Sequence, residues 1–275
     1  MGHEFKVDSP IVIDRILSRN LGKCSEQLRN EILPDTTPVP FFGDFENATI
    51  VSVGINPSRY EFPAVKRRLC HLSNLALPED YYRNGLTGMT EDQATKISKS
   101  LVQYFESSNN GEPTYLKKWF DLAETAINGA GATYFKNNLK SNILKIACHV
   151  DIFPWSTERY GDLNKKVKQE FHKENLKFFV SYLENNLITE LIILGSTVKS
   201  IIQKTFKDNE IKAIFVAEEF PGPNSTFELG RILLGDKSLK YFLLSKGPSA
   251  HLSQPEKQNI HQAFSDWVKK SRSSV

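Results

Sequence analysis

Residues Ala48-Thr-Ile-Val-Ser-Val-Gly54 form a short apolar run that passes directly into Gly54-Ile55-Asn56-Pro57-Ser58. A run this short, closed by Gly and Pro, reads as a buried strand ending in a tight turn. Gly54 allows the backbone a close approach, and Pro57 biases Asn56 toward an extended backbone. The turn therefore presents a polar side chain at the strand's carboxyl tip. Further apolar runs alternate with helical patterns along the chain, which indicates a mostly parallel sheet covered on both faces. In open α/β sheets of this kind ligands sit beyond the carboxyl ends of the strands, so Asn56 is the first candidate functional residue.

The chain has 275 residues, 40% hydrophobic and 24% charged. That suffices for one globular domain with insertions. Cys24, Cys70 and Cys148 stand far apart. No Cys-x-x-Cys pair and no His-Glu-x-x-His spacing occurs, so neither a metal nor another cofactor is expected. Free thiols fit a reducing cytoplasm. The charged N-terminus lacks the apolar core of a signal peptide, and no apolar run approaches the ~18 residues that cross a bilayer. The net charge is +3. Basic clusters at Lys66-Arg67-Arg68, Lys117-Lys118, Lys165-Lys166-Val-Lys168 and Lys269-Lys270 are either solvated helix faces or parts of a phosphate-binding surface.

Apolar residues at helical spacing predict a helical arm over residues 1–39, broken by Pro34-Asp-Thr-Thr-Pro-Val-Pro40 into an extended lead-in. Residues 59–140 are too long for an ordinary crossover and predict a helical insertion, with amphipathic helices over Glu91–Phe105 and Tyr115–Ile127 and a flexible turn at Ser107–Pro113. Strands are predicted at about 143–153, 190–194, 212–216, 227–234 and 241–245, with helices at 164–185, after Ser196, and at 255–270. The whole chain is expected to be a single α/β domain whose core spans 40–255, closed by the C-terminal helix.

Three tips are rich in polar residues or Gly and Pro: residues 54–58, His149-Val-Asp-Ile-Phe-Pro-Trp-Ser-Thr157, and Gly247-Pro-Ser-Ala-His-Leu-Ser253. In a parallel sheet they fall on one edge and are expected to converge on one pocket. His149 and Asp151 lie two apart and share one strand face. They are either a buried pair that holds the tip together or a reader of a ligand. An ionised Asp only accepts hydrogen bonds, which suits an exocyclic amine better than a carbonyl. Phe42, Tyr60, Phe62 and Trp155 are either core or stacking partners for an extruded base. Arg59, with Lys66, Arg67 and Arg68 close behind, is a candidate phosphate contact.

The Gly54-Ile55-Asn56-Pro57 turn, with its Phe41-Phe42-Gly43-Asp44 lead-in, resembles the uracil-DNA glycosylase superfamily, whose mismatch-specific branch carries Gly-Ile-Asn-Pro here. Leu191–Gly195 resembles that superfamily's third core strand, and Gly247–Ser253 its second signature. Tyr115–Asp121 with His149–Thr157 is similar to an uncharacterised bacterial branch. The resemblance covers residues 40–255. It implies a three-layer α/β/α sandwich around a mostly parallel four-stranded sheet. It also implies a monofunctional DNA glycosylase that flips a base out and hydrolyses its N-glycosidic bond.

On that resemblance Asn56 orients the attacking water; on its own chemistry it is equally an Asn that caps the turn. Ser58 and Ser253 are candidate DNA contacts, Ser249 is either a phosphate contact or a local helix cap, and Leu252 is either the family's apolar wedge or part of the core. Gly247 stands where the family has His or Asn, so His251 either folds back into that place, binds phosphate or is a surface histidine. Uracil readers of the family carry an Asn on the second core strand, and Ala147–Phe153 has none. A non-standard pyrimidine, such as a modified cytosine in phage DNA, is therefore expected rather than plain uracil. The protein is expected to be a cytoplasmic bacterial monomer acting on DNA in repair or antiviral defence. An inactive nucleic-acid-binding protein of the same fold and a nucleoside or nucleotide hydrolase remain open.

Overall fold

The computed structural model describes residues 6–17, 26–33, 38–58, 90–106, 108–109, 112–113, 117–135, 145–185, 187–208, 210–218, 227–245 and 253–272. Contacts divide the chain into two compact units. One comprises residues 1–46, 55–116 and 149–186, the other residues 47–54, 117–148 and 187–275.

The first unit is built on helices. α1 (Pro10–Leu17) and α2 (Glu26–Glu31) come from the N-terminal arm, and α3 (Glu91–Val102) from the long insertion. α1 packs on α3 through a face carrying Val12, Ile13 and Ile16, all buried. Thr90 and Gln93 close a capping box at the start of α3, satisfying two N–H groups that no helical carbonyl can reach. Residues 108–109 and 112–113 pair as a small antiparallel ladder where the sequence predicted only a turn. We call these strands β2 and β3, after β1 (Ala48–Gly54).

The second unit carries the sheet. It adds α4 (Lys117–Gly129), β4 (Ala132–Thr133), β5 (Lys145–Asp151), which continues into the first unit, β6 (Glu190–Leu194), α6 (Ser196–Asp208), β7 (Ala213–Glu218), β8 (Phe227–Leu234), β9 (Lys237–Leu244) and α7 (Gln254–Arg272). α5 (Lys165–Asn185) belongs to the first unit and packs on α2. The strand order is β4-β5-β1-β6-β9-β8-β7. β1, β6 and β9 run parallel, in a register that sets Val53 beside Ile193 and Ile193 beside Leu243. Every residue of β6 is buried, as expected for a strand covered on both faces.

The sheet corrects one expectation. It is mixed and has seven strands among the described residues, not four mostly parallel ones. The cause is local. Gly235, at φ +57°, and Asp236 make a two-residue loop that turns β8 directly into β9, and such loops join antiparallel strands only. β7 then adds antiparallel to β8. Gly230 permits that approach, since a Cβ there would lie 2.2 Å from the Val216 carbonyl oxygen and 2.7 Å from the Tyr241 ring. No described helix is long and apolar enough to cross a membrane.

Candidate functional site

Beyond β1 the chain turns at Ile55, whose carbonyl accepts a 2.9 Å hydrogen bond from the Phe153 N–H. The exits of β1 and β5 are thereby zipped side by side. The next residue, Asn56, is half-buried, and its amide nitrogen donates to the Trp155 carbonyl and to Thr157 Oγ1, each at 3.3 Å. A carbonyl oxygen only accepts, so the Trp155 carbonyl fixes which end of the amide faces it. The NH2 end therefore faces the Trp155 carbonyl and Thr157. Among the described residues no donor reaches Asn56 Oδ1. The side chain is a clamped amide whose acceptor is open among the described residues.

The lead-in segment holds the clamp in place. Leu33 and residues 38–42 lie against residues 149–156, with the Leu33 N–H bonding the Ser156 carbonyl at 3.0 Å and the Val39 N–H bonding the Pro154 carbonyl at 2.8 Å. Phe42 and His149 exchange both backbone hydrogen bonds, at 2.8 and 2.9 Å. Pro38 and Pro40 fit this segment, since proline favours the extended backbone that can lie along the loop. Phe42 itself is buried, its ring 4.5 Å from that of Tyr104 and 5.7 Å from that of His149. Trp155 is also buried, at 6% exposure. Both rings serve as walls of this unit.

His149 and Asp151 share one face of β5 as their spacing predicts, and His149 Nε2 lies 3.3 Å from Asp151 Oδ1, both residues being buried. The second carboxylate oxygen, Oδ2, takes no partner among the described residues. A carboxylate held by one oxygen and open at the other can clip the strand tip and still accept from a ligand. The Tyr160 ring stacks on Phe153 at 5.5 Å, and the Lys168 ammonium lies 5.3 Å from it. Burial pushes the Tyr160 phenol up to about 12, so it stays a neutral donor at physiological pH.

The chain matches no protein-family model and no curated protein.

The remaining sequence candidates distribute as follows. Ser58 is half-buried just past the turn. Ser253 is exposed and caps α7, its N–H and hydroxyl each 2.8 Å from Glu256 Oε2. This is the Ser-x-x-Glu capping box, a structural use of that serine. Arg59, Tyr60, Phe62, Lys66, Arg67, Arg68, Ser249, His251 and Leu252 lie outside the described residues. Sequence reasoning gave no role to Thr157, which holds Asn56, or to Tyr104, which backs Phe42. Thr157 sits within the 149–157 stretch already singled out, and its hydroxyl was the available signal. Tyr104 carries no local signal, being one aromatic among many.

Proposed function

We propose that this chain is a monofunctional DNA glycosylase that flips a base out of DNA and hydrolyses its N-glycosidic bond, leaving an abasic site. The observation that carries the reading is the clamped Asn56 amide with its open Oδ1. In this hydrolysis the water oxygen bonds the sugar's anomeric carbon as the carbon–nitrogen bond breaks; the departing base takes the electron pair and finally the proton that the water gives up. The water must lie on the face opposite the base. A fixed acceptor oxygen orients it by hydrogen bonding, an interaction preorganised before charge develops. An amide is no strong base, so Asn56 positions more than it deprotonates. That suits a base that leaves readily, or a slow enzyme.

Asp151 is the proposed reader. Its open Oδ2 matches an exocyclic amine, as on cytosine, better than a uracil carbonyl. We therefore favour a modified pyrimidine, excised in bacterial cytoplasm as repair of the nucleoid or as defence against phage DNA. The three-layer α/β/α arrangement belongs to this proposal too. It is supported by the parallel run of β1, β6 and β9, which releases the chain after Gly54, Leu194 and Leu244 at one sheet edge. The 247–253 signature follows the last of these. One feature favours a second reading: Gly247 stands where the family has His or Asn, which suits a protein that binds DNA without cutting the bond.

Oligonucleotides carrying uracil, hypoxanthine and several modified cytosines, incubated with the protein and heated in alkali, test the proposal. Cleavage at a modified cytosine is the expected result. Salt-dependent DNA binding with no cleavage of any substrate supports the second reading. Nucleoside hydrolysis without DNA binding overturns both.

A further inference from the structure

β7 is the last strand in the order, and among the described residues no strand lies on its outer side. Its outward face is apolar and exposed: Ile214 at 61% and Val216 at 43%, with Leu233 of β8, directly opposite Ile214, at 38%. The other face is occupied, since the Phe215 ring lies 5.6 Å from Tyr241 and 6.4 Å from Phe206. An apolar edge strand of this length is a template for a further strand, and soluble proteins do not ordinarily leave one bare.

The phase of the hydrogen bonds can be worked out. The two-residue loop makes Leu234 and Lys237 a bonded pair, so Leu233 turns its N–H and C=O toward β7 and bonds Ile214. Alternation then sends the N–H and C=O groups of Phe215 and Ala217 outward. The Ala213 N–H is already held by the Ile211 carbonyl at 2.9 Å, leaving its carbonyl for the edge.

From this we infer that β7 pairs antiparallel with β7 of a second copy of this chain, about a two-fold axis at Phe215. The sequence Lys212-Ala-Ile-Phe-Val-Ala-Glu218 is self-complementary in that register. Phe215 faces Phe215, Ala213 faces Ala217, Ile214 faces Val216, and Lys212 faces Glu218. Phe215 pairs through the outward groups of both copies, and each Ala217 N–H meets a free Ala213 carbonyl. Opposite charges fall together at both ends, and the exposed apolar faces become continuous. A shift of one residue breaks all of these matches, because side chains alternate with period two. This goes beyond the catalytic reading and replaces the expectation of a monomer.

Sedimentation velocity of the full chain over a concentration series tests it. The expected result is a dimer that dissociates on dilution. Ala217→Pro removes one outward N–H and no bond to β8, so it should yield monomer at every concentration, melting where the wild type melts at dilutions that leave it monomeric. Lys212→Glu should weaken the dimer, and Lys212→Glu with Glu218→Lys should restore it, which covers the case of a proline variant that fails to fold. The register also sets positions 214 and 216 of the two copies opposite each other in a non-bonded pair, the closer kind. The Ile214→Cys/Val216→Cys variant should oxidise to a covalent dimer, while Ile214→Cys alone, with the native cysteines present, should not. A wild-type monomer throughout overturns the inference, as does a dimer indifferent to Ala217→Pro or equal cross-linking by the single variant.

Discussion

Gly129→Ala sets two effects of opposite sign against each other. Gly129 ends α4, where α4 packs on α7. In a free helix the change favours folding by up to ~1 kcal/mol, less at a terminal position. Here a Cβ would lie 2.5 Å from the His261 carbonyl oxygen and 3.3 Å from the Ser265 nitrogen. Both are backbone atoms of α7 and cannot swing aside. The shorter contact is nearly an ångström inside ordinary van der Waals distance, so the helices must separate. The cost falls on the interface that buries Ala126, Ile127, Ile260 and Phe264. Overpacking of this kind costs ~1–3 kcal/mol, which exceeds the propensity gain. A net loss of about 1–2 kcal/mol lowers the calorimetric transition by roughly 2–8 °C. Gly161→Ala is the control, since nothing lies within 4 Å of its added Cβ. It should stay within ~0.5 kcal/mol of wild type. A Gly129→Ala protein that melts at or above wild type would refute the close approach of the two helices.

Two further outcomes follow from other contacts. Burial raises the Glu124 carboxyl above its usual range, against hydrogen bonds from Thr133 and the Tyr134 N–H that lower it, with Asp121 raising it further. A raised carboxyl binds its proton more tightly folded than unfolded, so its ionisation opposes folding at neutral pH and that penalty fades as pH falls through its folded pKa. In urea titrations across pH, Glu124→Gln should lack this acid-side gain, and an unchanged pH profile would contradict the assignment. Thr157→Val keeps the shape but removes one of the two main acceptors holding Asn56. With the Trp155 carbonyl still fixing the amide, the proposed base release should slow by no more than about tenfold, the equivalent of one neutral hydrogen bond at ~0.5–1.5 kcal/mol. DNA affinity should not move; a loss of DNA binding would mean that Thr157 serves something else.

The local signals in the chain were readable because each is short-range. The apolar run closed by Gly54 and Pro57 specifies a strand and a turn, and the 3.6-residue spacing of Ile97 and Leu101 specifies a helix. That His149 and Asp151 share a strand face follows from period two, while their hydrogen bond is seen only in the structure. What the chain conceals is long-range. Asn56 is held by a backbone carbonyl 99 residues away, and every residue type supplies the same carbonyl. The tight turn at Gly235-Asp236 that joins β8 to β9 was not read from the sequence, and nothing local says that both strands join the main sheet or that β7 lies at its end. Ser253 carries a second signal: Glu256, three positions later, completes a capping box with it.

The central claim, that the clamped amide at position 56 positions water for base release, is tested most directly by Asn56→Ala assayed for abasic-site formation and for DNA binding on one modified-cytosine oligonucleotide. Loss of a positioned catalytic contact of this kind typically costs ~100- to 1,000-fold in rate. The account predicts such a loss with affinity for the DNA retained. Abasic-site formation at the wild-type rate by Asn56→Ala would contradict it.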